Sequence, residues 1–114
     1  MKVENIEFQD IIYTIWVGEN AQDNWNIISA ANQNDIWFHL SNFPSAHVII
    51  KIPDNFKLKF IPKQLYYKCA SICKVDSKYC NIKKVKVIYT EIKHVTKGDK
   101  VGSVHTTRTK ELTI

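Results

Sequence analysis

The sequence predicts an α+β domain: a mostly antiparallel sheet built around a central hairpin, with two helices packed on it. Three observations carry this. Asp35-Ile36-Trp37-Phe38-His39-Leu40 and Ser45-Ala46-His47-Val48-Ile49-Ile50 alternate with the two-residue period of strands and flank a turn-forming linker, Ser41-Asn42-Phe43-Pro44. Two β-branched runs, 11–17 and 84–90, add further strands. Segments 21–31 and 62–74 carry helix-start signals and a helical period.

In chain order, Ile11 to Val17 reads as a strand ended by Gly18, and Asn20 caps a helix from Ala21 to about Ala31 that packs through Trp25 and Ile28. In the hairpin that follows, a symmetric register sets Leu40 opposite Ala46, Phe38 opposite Val48 and Ile36 opposite Ile50, which closes a dry face. The other face then sets His39 opposite His47, Trp37 beside Ile49 and Asp35 opposite Lys51, and is expected to be a polar, aromatic surface open to partners. Residues 53–59 read as a loop or edge. Pro62 opens the second helix, whose Leu65, Cys69, Ile72 and Cys73 share one face and cover the sheet. Lys84 to Thr90 is a strand with Val85, Val87 and Tyr89 inward and Lys84 and Lys86 outward, and short strands near 101–106 and 109–114 complete the fold.

At 114 residues, 45% hydrophobic and 24% charged, the chain is expected to be a single domain spanning residues 1–114. No run approaches the roughly 18 apolar residues of a membrane span, and the first residues lack the apolar core of a secretory signal. The expectation is a soluble, cytoplasmic protein without membrane partners. Three cysteines, an odd number, point to free thiols in a reducing compartment. The charge is asymmetric: residues 1–50 hold one lysine against six acids, residues 51–100 thirteen lysines against four acids. That pattern suits an anionic partner, and equally lysines that only solvate the surface.

Metal binding is disfavoured by spacing. Asp35 and His39 lie about 13 Å apart along a strand, beyond the reach of one ion. Cys69 and Cys73 coincide with the apolar face of their helix, where a free thiol acts as a small hydrophobe. The sequence carries no phosphate-binding glycine loop, zinc-protease pair or nucleophile elbow, so no cofactor and no enzymatic activity are expected. Binding remains. Trp37 offers a ring to stack on a base, His39 and His47 offer hydrogen-bond donors, and the lysines offer a field for polyanions. The alternative reading packs Trp37 under a loop and spends the histidines on backbone groups.

These residues form a series. Asp35-Ile36-Trp37-Phe38-His39 and Pro44-Ser45-Ala46-His47-Val48 are preceded by Val17-Gly18-Glu19-Asn20-Ala21-Gln22-Asp23-Asn24 and followed by Val85-Lys86-Val87-Ile88-Tyr89-Thr90 and Val101-Gly102-Ser103-Val104. In that order, over nearly the whole chain, the series resembles the NFACT-R domain family. Glu19 stands where that family carries a basic residue and Ser45 where it carries glycine. The Ser-Ala-His-Val form is more similar to the family's short eukaryotic relatives than to its large ribosome-quality-control proteins. The resemblance implies an RNA-binding module with tRNA, ribosomal RNA or the ribosome as partner. It leaves open DNA, a protein-adaptor role and an association with RNA modification, and it says nothing of oligomeric state. In this reading Trp37 stacks, His39 and His47 donate, and Lys84, Lys86, Lys93 and Lys97 contact phosphates. Asp35, Asn20 and Asn24 support them.

Overall fold

Alternating side chains make the central hairpin, and a computed structural model that describes all 114 residues shows how the rest of the chain closes over it. The elements run β1 (Lys2–Phe8), β2 (Ile11–Val17), α1 (Ala21–Ala30), β3 (Ile36–Leu40), β4 (Val48–Lys51), α2 (Lys63–Val75), β5 (Lys86–Glu91), β6 (Val95–Lys97), β7 (Val104–Thr106) and β8 (Lys110–Thr113). Short 3-10 turns at Leu58–Phe60 and Ile92–His94 precede α2 and β6. Six strands form one sheet in the order β1-β2-β4-β3-β5-β8, and β6 pairs with β7 in a separate hairpin. Every pairing is antiparallel.

The hairpin has the expected register: Ile36 faces Ile50, Trp37 faces Ile49 and Phe38 faces Val48. The dry face is the main core. Tyr13, Ile15, Phe38, Val48 and Ile50 from the sheet meet Leu65, Cys69, Ala70 and Cys73 of α2. Ile72, expected among the buried residues of α2, only flanks this cluster. Pro62 is the N-cap of α2 rather than its first helical residue, with extended backbone at φ −65° and ψ 142°. That is the conformation a proline adopts without strain just ahead of a helix.

The opposite face departs from expectation. Trp37 and Ile49 are enclosed by Ile27 and Ile28 of α1, Ile92 and Val95, forming a second core. The face read as open is therefore closed at its centre, because α1 and the β6–β7 hairpin lie across it. Trp25, expected to anchor α1, only flanks this core and donates its indole N–H to the Ser103 carbonyl at 2.7 Å. Asn24 and Ile27 take its place beside Ile28 on the buried side of the helix.

β1 carries little sequence signal because it is an edge strand with mostly exposed side chains. It pairs with β2 over all seven residues. Gln9 and Asp10 turn the corner with φ of 52° and 66°, the double left-handed geometry of a tight hairpin turn.

Candidate functional site

The sheet's second face stays accessible at the C-terminal end of β3, where His39 follows the buried Trp37. Here the backbone ladder of the hairpin stops. Leu40 N–H, which a longer ladder would give to Ala46, goes instead to the Ser45 hydroxyl at 3.1 Å, and that hydroxyl donates to the Ala46 carbonyl at 3.0 Å. Ser45 thus closes the loop by hydrogen bonding, while Asn42, at φ 66°, takes the left-handed turn position.

His47 is held from three sides. Its N–H donates to Asn24 Oδ1 at 3.3 Å, its carbonyl accepts the Gly18 N–H at 2.9 Å, and its Nδ1 accepts the Trp37 indole N–H at 3.0 Å. Gly18 is required at this point: a Cβ there would lie 1.9 Å from Asn24 Oδ1. Asn20 acts one step back, capping α1 by accepting the Asp23 N–H at 2.8 Å. Gly102, at φ +89°, lets the turn before β7 close on α1, where a Cβ would sit 2.9 Å from that of Ala21.

The two imidazoles meet edge to face with ring centres 4.9 Å apart, and Trp37 stacks on His39 at 5.7 Å. Their hydrogen bonds fix their tautomers. An indole N–H only donates, so His47 Nδ1 carries the lone pair and Nε2 the proton. A carbonyl only accepts, so His39 Nδ1, 2.7 Å from the Leu40 oxygen, carries the proton and Nε2 the lone pair. Every fully enclosed side-chain nitrogen or oxygen in the molecule has a partner, and neither Nε2 does, so neither is fully enclosed. Burial, then the adjacent His39, pulls His47 down to about 3, and burial lowers His39 against the pull of the Leu40 carbonyl. At neutral pH the pair is uncharged, a donor beside an acceptor.

Both histidines line a cavity of about 830 Å³. Its wall gathers segments distant in sequence: Gly18 to Ala21, Asn24, His39, Pro44 to His47, and Val101 with Gly102. Its far side is the turn after α2, with Asp76, Lys78 and Tyr79. The cavity is electrically balanced, Lys2 and Lys78 against Glu19 and Asp76. Lys2 already bridges Asp76 at 3.1 Å, and Glu19 accepts from the Met1 ammonium at 3.0 Å.

The remaining expected residues fall in other places. Trp37, with 1% exposure, offers no ring face to a base; it is the strut that orients His47. Asp35 is fully buried and accepts from Lys51 Nζ, Ile52 N–H and Asn32 N–H, fastening the start of β3 to the end of β4. None of Lys84, Lys86, Lys93 and Lys97 lines the histidine cavity. Lys86 lies 3.9 Å from Glu111, Lys93 3.4 Å from Glu91, and Lys97 reaches Ser29 and the Trp25 ring. Lys84 is exposed. Lys2, Lys78 and Tyr79 were not singled out from the sequence, since nothing local joins them to the hairpin. No group of three or more His, Cys, Asp or Glu side chains is arranged to share a metal ion.

A family model described as the NFACT protein RNA binding domain matches residues 3–107. The chain is 32% identical over 105 residues to coiled-coil domain-containing protein 25 of Mus musculus, an alignment covering 90% of this chain and 50% of that protein. It is 35% identical over 96 residues to the Rqc2 homolog RqcH of Bacillus subtilis, covering 80% of this chain and 15% of that one. Among solved structures, the C-terminal part of the fibronectin/fibrinogen-binding protein from Streptococcus suis matches with a TM-score of 0.83 and 26% identity, over 100% of this chain and 46% of that one. The chain thus spans about half the length, or less, of these relatives.

Proposed function

The chain belongs to the NFACT protein RNA-binding domain family, and from that premise we propose that it is a non-enzymatic RNA-binding module whose histidine cavity reads a ribose hydroxyl. A nucleic-acid-binding role follows from the family. The choice of RNA rests on one observation: two neutral imidazoles with fixed tautomers, their Nε2 atoms one a donor (His47) and one an acceptor (His39) without partners in the protein, line the same cavity. A 2′-hydroxyl both donates and accepts, so it satisfies both nitrogens, and DNA has none to offer. A phosphate only accepts and carries charge. It would leave His39 without a partner, and the balanced cavity gives it no net attraction.

Trp37, Asn24 and Gly18 then act by holding His47 in place, and Asp35 by holding the two strands. Lys84, Lys86, Lys93 and Lys97 supply the general field outside the cavity. The likeness to a protein named as an Rqc2 homologue supports tRNA, ribosomal RNA or the ribosome as the target, in the cytoplasm.

The test is anisotropy of labelled tRNA and ribosomal RNA fragments at low salt, with matched RNA and DNA duplexes as competitors. Binding in which RNA competes better than DNA, weakened by His39→Ala, is expected. Absence of binding to any RNA at low salt would refute the reading, and equal competition by DNA would refute the hydroxyl assignment.

A further inference from the structure

The positive charge of this chain is concentrated away from the histidines. A second cleft of about 1000 Å³ is lined by Lys59, Lys63, Lys93, Arg108 and Lys110, with Glu91 as its one carboxylate. That carboxylate is already met by Lys93 at 3.4 Å. The cleft lies at the opposite end of the same elements. It touches Ile36, the first residue of β3, whereas the histidine cavity touches His39 near that strand's end. It touches Lys63, the first residue of α2, whereas the cavity touches Asp76 just beyond the last.

The cleft also has an aromatic wall and a fixed rim. Tyr66 and Tyr89 line it, their ring centres 5.2 Å apart, each packed against Phe38 beneath. Burial raises the Tyr66 hydroxyl to about 12, so it remains a hydrogen-bond donor at neutral pH. Arg108 sits in the left-handed region at φ 54°. Beneath it the buried Thr90 hydroxyl lies 3.1 Å and 3.3 Å from the Thr107 and Arg108 carbonyls, which pins the turn carrying that guanidinium. On the facing wall α2 starts without a side-chain cap, so its first-turn N–H groups add partial positive charge beside Lys63.

Cations facing a ring-lined wall are the recurring means of holding single-stranded nucleic acid: cations follow the phosphates and rings take the bases. We infer that this cleft binds the phosphate and base of a single-stranded nucleotide segment, separately from the histidine cavity. The inference rests on the nucleic-acid reading above and divides its work: the cleft supplies affinity, the cavity discrimination.

The experiment is a set of amide correlation spectra of the ¹⁵N-labelled full chain at low salt. The titrants are a six-nucleotide oligoadenylate RNA, adenosine monophosphate and inorganic phosphate. The oligonucleotide is expected to shift Thr90, Lys93, His94 and Arg108, the mononucleotide to shift them at higher concentration, and phosphate to leave Tyr89 and Tyr66 unmoved. The doubly substituted Lys63→Ala/Arg108→Ala, altered at two exposed positions, should lose these shifts. Its log–log salt slope of binding should fall by about 1.4, at about 0.7 per cation removed. Shifts at the cleft alone support the inference and refute the histidine site. Shifts confined to Gly18, Asn24 and His47 overturn the inference while leaving that site standing. An identical response to phosphate and oligonucleotide overturns the strand assignment, and no response at either place overturns both readings.

Discussion

Acid should destabilise this domain through one side chain in particular. His47 is 2% exposed, and burial followed by its neighbour His39 takes its pKa from 6.5 to about 3. The unfolded chain takes up this proton near 6.5, whereas the folded chain refuses it until about 3. The unfolded state therefore binds more protons across that window, so stability falls as pH drops from about 6.5 toward about 3. By about pH 4 the unfolded-state proton is favoured by about 2.5 units, and at about 1.36 kcal/mol per unit this costs about 3 kcal/mol. Against a total of roughly 5 to 15 kcal/mol for a domain, that is a large share. The assay is urea unfolding at pH 7 and pH 4 for the wild type and for His47→Asn. Asparagine sets an oxygen near the place of Nδ1 to accept the Trp37 N–H and does not titrate. The wild type should lose about 3 kcal/mol more than the variant over this interval. The same loss in both would show that His47 is not held neutral by burial, and the donor and acceptor assignment would fall with it.

Other substitutions probe the framework of the site. Trp37→Phe keeps a ring in the second core but orphans His47 Nδ1; it should cost about 1–3 kcal/mol in thermal or urea unfolding and weaken RNA binding. Asp35→Ala removes the acceptor for Lys51 and two backbone N–H groups and should cost about 3–5 kcal/mol by the same measurement. In Gly18→Ala the new Cβ meets Asn24 Oδ1, and the displaced amide releases the His47 N–H. A loss of about 1–3 kcal/mol is expected, with weaker RNA binding, while α2 and its core keep their hydrogen-exchange protection.

The parts of this fold that were legible are those where local pattern and tertiary contact agree. The β2 boundaries, the cap at Asn20 and the hairpin register all follow from side chains near each other in the chain. What stayed hidden depends on distant partners. Trp37 and Ile49 alternate with histidines in a way that suits an open surface, and only the arrival of Ile27, Ile28, Ile92 and Val95 makes them core. β6 is three residues long, below what a periodic pattern can signal, whereas its partner β7 falls within the short strand expected near 101–106. His39 and His47 were readable as a pair because register brings them together. Their opposite hydrogen-bonding roles were not, because these depend on the Trp37 indole and the Leu40 carbonyl. A count of lysines along the chain gives the charge but not the end of the sheet on which it gathers, and Arg108 and Lys110 lie outside the lysine-rich half.

The central claim is that a neutral donor and acceptor pair reads the ribose. It is tested most directly by measuring the affinity of one single-stranded sequence made as RNA, as 2′-deoxy and as 2′-O-methyl strands, for the wild type and for His39→Ala. The account predicts that the wild type prefers RNA over both modified strands and that His39→Ala binds all three alike, at the weaker level. Equal affinity of the wild type for the three strands, or an RNA preference that survives His39→Ala, would contradict it.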